Sequence, residues 1–390
     1  MSRTYVPPDA GFDFVRFALL ASVVIVLMAW NSPALASSLR PISNLYRLVE
    51  KPWLEVKEQM GFLFASLRAT IGLVTDYYGD EQALGLGAVN PDTPVMQVEA
   101  PKLEYPLYHY YWRAKIYDQY EDSKWITTAQ EKIPFTPDGG DIALPESESR
   151  TLVEVTVTTQ KSLVSLFSPS QVVWFDRTGN LTIIPNVEGS FDFINMESSP
   201  ILRPGEQYKA HAYIATVTEK ELREAGEEYP DWVTSRYLQV PEEITARTRL
   251  LADRLAEGRD NPYDIASAIT AWLRENISYI EVMEAPPQDR EPLDWFLFEY
   301  QQGFCNYYST SMVMMLRALG IPARWAVGYA QGLSLSPDTP NVPESLRGQL
   351  PEEYFEPNRT YQVRQLDSHS WPEVYFPGIS SAQKRPRNFF

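Results

Sequence analysis

The sequence predicts an α+β protein: an N-terminal hydrophobic helix, a small antiparallel β domain, and a helical segment that closes on an extended run. Three observations predict it. Residues 14–30, FVRFALLASVVIVLMAW, are almost wholly apolar. From about residue 98 to 216 the apolar pattern has a period of two, and from Pro241 onward it returns every three or four positions.

The uninterrupted apolar part of the first segment, Phe17 to Trp30 apart from Ser22, is shorter than the ~20 residues of a comfortable membrane span, and extending it back to Phe14 makes a marginal one. A cleaved signal peptide is the rival reading, because Arg3 precedes the apolar core and Ala34–Leu35–Ala36 has a small-residue cleavage pattern. The retained anchor is preferred over residues 1–37, and a buried hairpin helix ranks last. Either of the first two readings places the remainder outside the cytoplasm. Residues 38–97 read as a juxtamembrane helical stalk, broken by Pro52, followed by the linker GLGAVNPDTP. Gly85 and Gly87 in that linker lack the third glycine and the strand–helix setting of a dinucleotide loop.

Residues 98–240 read as the antiparallel β domain, with runs such as TLVEVTVTTQ and QVVWFDRTGNLTIIP separated by Gly, Pro, Asp and Asn. No catalytic set assembles in it, and His109 and His211 read as structural histidines within strand runs. In the segment 241–378, PEEITARTRLLADRLAEG carries Ile244, Leu251 and Leu255 on one helical face, and NPYDIASAITAWLRENISY opens a second helix with Asn-Pro.

Composition bounds the function. A chain of 390 residues has room for two ordinary domains. With 44% hydrophobic residues, 23 Tyr and 10 Trp, it has the apolar surface to build a core. A net charge of -17 argues against nucleic acid as partner, since phosphate backbones are held by clustered Lys and Arg. Three histidines and one cysteine show no metal-ligand spacing, so neither metal nor cofactor is expected. The single cysteine also removes any intramolecular disulfide framework.

That cysteine, Cys305, follows Gly303-Phe304 at the start of a helical pattern carried by Tyr308, Met312, Met315, Leu316 and Leu319, with Gly320 as the stop. At a helix N-terminus the dipole favours thiolate over thiol, and the free N–H groups there can donate to an oxyanion. Gly303 is expected to let a substrate approach the backbone. A small buried apolar residue is the alternative role for the cysteine. A thiol nucleophile needs a base, and His369 in RQLDSHSWPEVYF, a strand-like run, is the candidate.

GFCNYYSTSMVMMLRALGIPARWAVGY together with DSHSWPEVYF resembles the core of the transglutaminase-like cysteine enzyme superfamily. The order of segments resembles its bacterial membrane-anchored subgroup. The resemblance implies a papain-like transglutaminase core, helices packed on an antiparallel sheet, over residues 241–378. It implies Cys305 as the nucleophile attacking a carboxamide and His369 as the base, with a thioacyl intermediate resolved by an amine or by water. Protein or peptide substrates, the membrane and cell-envelope partners follow as expected partners. A cysteine protease or amidase, or a non-catalytic module binding peptide or envelope material, is the alternative.

The pattern departs from the family at the end. The family's third catalytic acid stands on a strand after the histidine, whereas here the chain reads FPGISSAQKRPRNFF, an atypical terminus over 379–390 that gives a C-terminally truncated core. Asp367 and Glu373 are the nearby carboxylates that stand as candidates to replace it. Impaired turnover is the expectation. Trp295, Tyr307 and Trp371 fit the acyl groove and the core equally well.

Overall fold

The computed structural model describes residues 78–103, 109–129, 131–144, 150–186, 189–336 and 356–377. The expected anchor, the stalk before residue 78 and the atypical terminus lie outside these described residues. Among the described residues, no helix is long and apolar enough to cross a membrane.

In chain order the first strands are β1 (Glu81–Ala83), β2 (Pro94–Pro101), β3 (Tyr111–Tyr117), β4 (Gln119–Glu121), β5 (Lys124–Ile126) and β6 (Glu131–Phe135). There follow β7 (Arg150–Thr159), β8 (Leu163–Ser165), β9 (Gln171–Phe175), β10 (Gly179–Pro185), β11 (Phe191–Leu202) and β12 (Gln207–Ala215). Two short helices come next, α1 (Glu219–Arg223) and α2 (Asp231–Tyr237), and then α3 (Ala246–Ala256) and α4 (Pro262–Asn276). Strand β13 (Ser278–Tyr279), helix α5 (Pro292–Trp295) and β14 (Gln302–Gly303) lead into α6 (Cys305–Ala318). The last strands are β15 (Ala323–Ala330), β16 (Leu333–Ser334), β17 (Asn358–Arg364) and β18 (Ser368–Val374).

The period-two runs pack as sequence alternation requires. In β7, Val153, Val155 and Val157 point inward while their neighbours face out or lie half-covered. A six-stranded sheet, β16-β17-β2-β7-β12-β9, and a four-stranded one, β6-β10-β11-β8, enclose a core that includes Val98, Val155, Phe175, Leu181 and Tyr208. Two strands cross the expected division between β domain and core. β17, late in the chain, pairs with β2 (Tyr361 opposite Val98), and β3, early in the chain, pairs with β15 (Trp325 opposite Tyr117). The residues read as a linker are pinned as well: Gly87 bridges Val282, and a side chain there would strike the Glu281 carbonyl.

The helices start and stop by local chemistry. Asn261 caps α4 by accepting the Asp264 N–H at 2.9 Å, with Pro262 at the first helical position. Gly320, at φ 78°, ends α6, and the following Ile321 N–H reaches back to the Leu316 carbonyl at 3.0 Å. The burial of α6 is wider than the stripe expected from spacing. Tyr308 and Met312 are half-covered, whereas Ser309, Thr310, Ser311, Val313 and Met314 are buried. The reason is position: α6 lies between α3 and α4 on one side and strands β15 and β18 on the other, so most of its circumference is enclosed.

Candidate active site

The path into α6 fixes where the thiol stands. After α5 the chain makes a π-helical turn, Phe296–Tyr300, and Gln301 enters the left-handed region at φ 51°. Strand β14 then pairs parallel with β13, Tyr279 opposite Gly303, and the Ile280 N–H donates to the Gly303 carbonyl at 2.8 Å. Gly303 is buried, and a Cβ there would press into the Phe296 ring. Its missing side chain therefore makes room for Phe296, which corrects the expectation that it makes room for substrate. Phe304 is the N-cap residue with extended backbone, and Cys305 is the first residue of the helix, half-buried and free.

The surroundings of Cys305 are polar on one side and aromatic on the other. Its Sγ lies 3.7 Å from Asn306 Oδ1. Tyr279, 59% exposed, is pushed up to about 12 by burial and next by the neighbouring Cys305 thiol, while the Cys305 N–H bonding to the phenol acts the other way. The Tyr279 ring centroid is 5.9 Å from that of Tyr308. Sequence reasoning missed Tyr279, whose only signal was its place in a short run after α4. Trp295 and Tyr307 are buried in the core beside Phe296, and Trp371 is half-covered. Close by, burial raises the Glu291 carboxyl to about 7 against the N–H groups of Leu293 and Asp294 that it accepts.

Strand β18 carries the candidate base. Within the described residues it is an outer strand of the sheet β18-β15-β3, with His369 opposite Gly328 and Ser370 opposite Val327. Successive residues of a strand point to opposite faces. Ser370 faces α6, with its Oγ 2.9 Å from Asn306 Oδ1 and 3.0 Å from Ser309 Oγ. Trp325 of β15 faces the same way, donating its indole N–H to Ser309 Oγ at 2.7 Å. His369 lies on the other face, its ring packed beside both Tyr111 (5.7 Å, 17°) and Trp371 (6.2 Å, 19°), whose own rings are 4.9 Å apart. His369 stands opposite Gly328 of β15, and Tyr111 of β3 stands opposite Ala330, two residues further along the same strand. Burial lowers the His369 pKa, which favours the neutral imidazole.

The structure thus brings the helix of Cys305 against the strand of His369, and the residues that touch across that contact are Ser370, Asn306 and Ser309. Among the described residues no hydrogen bond joins Cys305 Sγ to the His369 ring.

Both carboxylates considered as substitutes for a third acid are engaged elsewhere. Asp367 accepts from the Arg364 N–H at 2.8 Å and from its guanidinium at 3.1 and 3.2 Å. Glu373 is 1% exposed and takes Arg113 Nη1 at 3.1 Å on each oxygen and Arg324 Nε at 2.8 Å. Four residues along an extended strand, it stands roughly 13 Å from His369. Arg324 in turn reaches Asp192 of β11 at 2.8 Å, and Tyr237 of α2 donates to the same carboxylate. Of the two other histidines, His211 is paired with Glu154 at 3.0 Å beside Trp174, and His109 lies just before β3. Among the described residues no cluster of His, Cys, Asp and Glu could hold a metal ion.

Residues 249–380 match the model of the transglutaminase-like superfamily. The chain is 31% identical over 212 residues, 54% of its length, to the uncharacterized protein YebA of Bacillus subtilis strain 168. Over 143 residues, 36% of its length, it is 32% identical to a protein-glutamine gamma-glutamyltransferase of Pseudomonas aeruginosa. These matches span 26% and 18% of the two relatives, so most of each lies beyond what this chain resembles. The crystal structure of the periplasmic domain of TgpA from Pseudomonas aeruginosa superposes with a TM-score of 0.51 at 19% identity, covering 77% of this chain and 91% of that one. The same domain bound to ethylmercury also gives 0.51, at 21% identity, over 77% and 93%. At these identities the likeness establishes the fold alone: a helix with its cysteine packed on an antiparallel sheet, the papain-like arrangement.

Proposed function

We propose that this chain, whose residues 249–380 match the transglutaminase-like superfamily, is a cysteine acyltransferase acting on peptide amides outside the cytoplasm. The observation that carries the reading is the placement of its one thiol at the first position of α6, half-buried, against the strand that bears His369. In the proposed reaction Cys305 Sγ attacks the carboxamide carbon of a glutamine side chain. The thiol proton passes to the His369 imidazole and from there to the leaving nitrogen as the C–N bond breaks. An amine or water then attacks the thioester, the S–C bond breaks, and the proton returns to sulfur. For this the His369 ring, now beside Tyr111 and Trp371, must come within hydrogen-bond reach of Cys305 Sγ. Burial favours the neutral form of the ring, which is the form a base requires.

Neither Asp367 nor Glu373 is free to orient that ring. Location outside the cytoplasm rests on the periplasmic origin of the structural relative and on the apolar stretch at residues 14–30, which we read as a membrane anchor. Cell-envelope proteins or peptides are the corresponding substrates.

The full chain should release ammonia from a glutaminyl peptide in the presence of a primary amine, and Cys305→Ala should abolish release. Equal rates for the parent and Cys305→Ala would reject the enzyme reading. A second reading is favoured by the ring stack itself: His369 held on the face away from α6 suits a non-catalytic module that binds peptide or envelope material. Binding of a glutaminyl peptide with no turnover in the parent chain would select it.

A further inference from the structure

We propose that Asn306 is a positioning residue for Cys305, with its amide oxygen accepting a hydrogen bond from the thiol and its amide held in place by Ser370 and the Leu84 carbonyl. The inference deepens the proposed function and rests on Cys305 being the reacting thiol. Three contacts support it. Asn306 Nδ2 donates to the Leu84 carbonyl at 2.9 Å, so the amide has one orientation, with Oδ1 turned to the site. Ser370 Oγ lies 2.9 Å from that oxygen, and Cys305 Sγ lies 3.7 Å from it. A sulfur–oxygen separation of this size suits an S–H donor.

Proton counting gives the network a direction. The Trp325 indole can only donate, and it does so to Ser309 Oγ at 2.7 Å. Ser309, buried, has one proton, for which the Ser370 oxygen at 3.0 Å and the Cys305 carbonyl at 2.6 Å compete. Ser370, buried, has one proton as well, and the acceptor that uses it is Asn306 Oδ1. The Ser370 proton therefore ends on the oxygen that faces the thiol, and this bond helps to hold that oxygen in place. The acceptor fixes the direction of the sulfur, and the Tyr279 phenol is the titratable group beside it. When the proton leaves, Oδ1 faces a negative sulfur, and the arrangement favours the step that consumes the thiolate.

The test is the pH dependence of alkylation of the full chain by iodoacetamide, which reads one thiol because the sequence contains one cysteine. Asn306→Leu, which keeps the bulk and removes the acceptor, should lower the pH midpoint of alkylation by about half a unit. Asn306→Asp should raise it by about one unit, through a negative charge beside the thiolate. Ser370→Ala should move it in the same direction as Asn306→Leu by a smaller amount, and Ser370→Thr, which keeps the hydroxyl, should restore the parent midpoint. Thermal melts on the same samples report folding. If Asn306→Leu does not fold, the opposed shifts of Asn306→Asp and Ser370→Ala decide the matter. Midpoints that stay at the parent value in folded variants would overturn the proposal. Alkylation needs no acyl transfer, so a parent chain without glutamine turnover rejects the catalytic reading and leaves this result standing, whereas unmoved midpoints in an active chain do the reverse.

Discussion

The two faces of the sheet β18-β15-β3 are built from different chemistry. Toward α6 the side chains of β15 and β18 make neutral contacts, through hydroxyls, an amide and an indole, and Trp125 of β5 stacks on Trp325 there and donates to Thr310 of α6. Toward β11 and α2 they are ionic, with Arg113, Arg324, Glu373 and Asp192 all nearly sealed from water. Neutral bonds are worth about 1 kcal/mol each and can be exchanged singly. A buried charge cannot lose its partner without leaving another charge bare. The ionic face therefore holds the register of β15 on β18, and with it the position of His369 along the strand. The neutral face is where chemistry at the thiol can be adjusted at small cost.

The largest effect that would break this contrast is on the ionic face. Glu373→Ala should destabilise the fold by about 3–5 kcal/mol in denaturant unfolding, because it leaves Arg113 and Arg324 buried without their shared carboxylate. The same group gives a pH signature. Burial pushes Glu373 up, but Arg113 and Arg324 more than offset it, so its pKa lies below the ordinary value. Its contribution is thus present above the unfolded value of about 4.3 and is lost as pH falls through the folded one. Stability of the parent should fall on acidification below about pH 4, and Glu373→Gln should flatten that decline.

A smaller effect belongs to the neutral face. Thr310 Oγ1 accepts the buried Trp125 indole N–H at 2.8 Å, and Thr310→Val should cost about 1–3 kcal/mol by leaving that donor unpaired. A loss as large as that of Glu373→Ala would remove the distinction between the faces. The smallest effect sharpens the position of the imidazole. Tyr111→Ala uncovers one side of the His369 ring, and since burial lowers its pKa, the titration midpoint followed by NMR should rise by a few tenths toward the ordinary value of about 6.5. An unchanged midpoint would mean that the ring is not covered by Tyr111.

The elements near the site were legible because they are local. The spacing after Cys305, the Gly320 stop and the Asn261-Pro262 start each rest on a few adjacent residues, and all appear where the pattern placed them. The placement of strands was not legible. WRAKIY in β3 is buried on both faces, so it lacks the alternation that would announce a partner, and the partner lies more than 200 residues away. Arg324 and Glu373 stand inside the two motif segments, yet nothing in their spacing of 49 residues marks a pair. The network at the thiol left a faint trace: Ser309 and Ser370 are small polar residues where apolar ones would have completed the packing. The face of His369 depends on strand register, which a single sequence does not specify.

The exchange of β3 and β17 between sheets bears on how this architecture can be inherited. A cut at residue 241 would not yield two self-sufficient modules: the upstream piece would lose one of the two partners of β2, and the downstream piece one of the two partners of β15. Recombination at the gene level that moved the thiol-bearing half alone would leave open hydrogen-bonding edges on both products. The two halves have to be transmitted together.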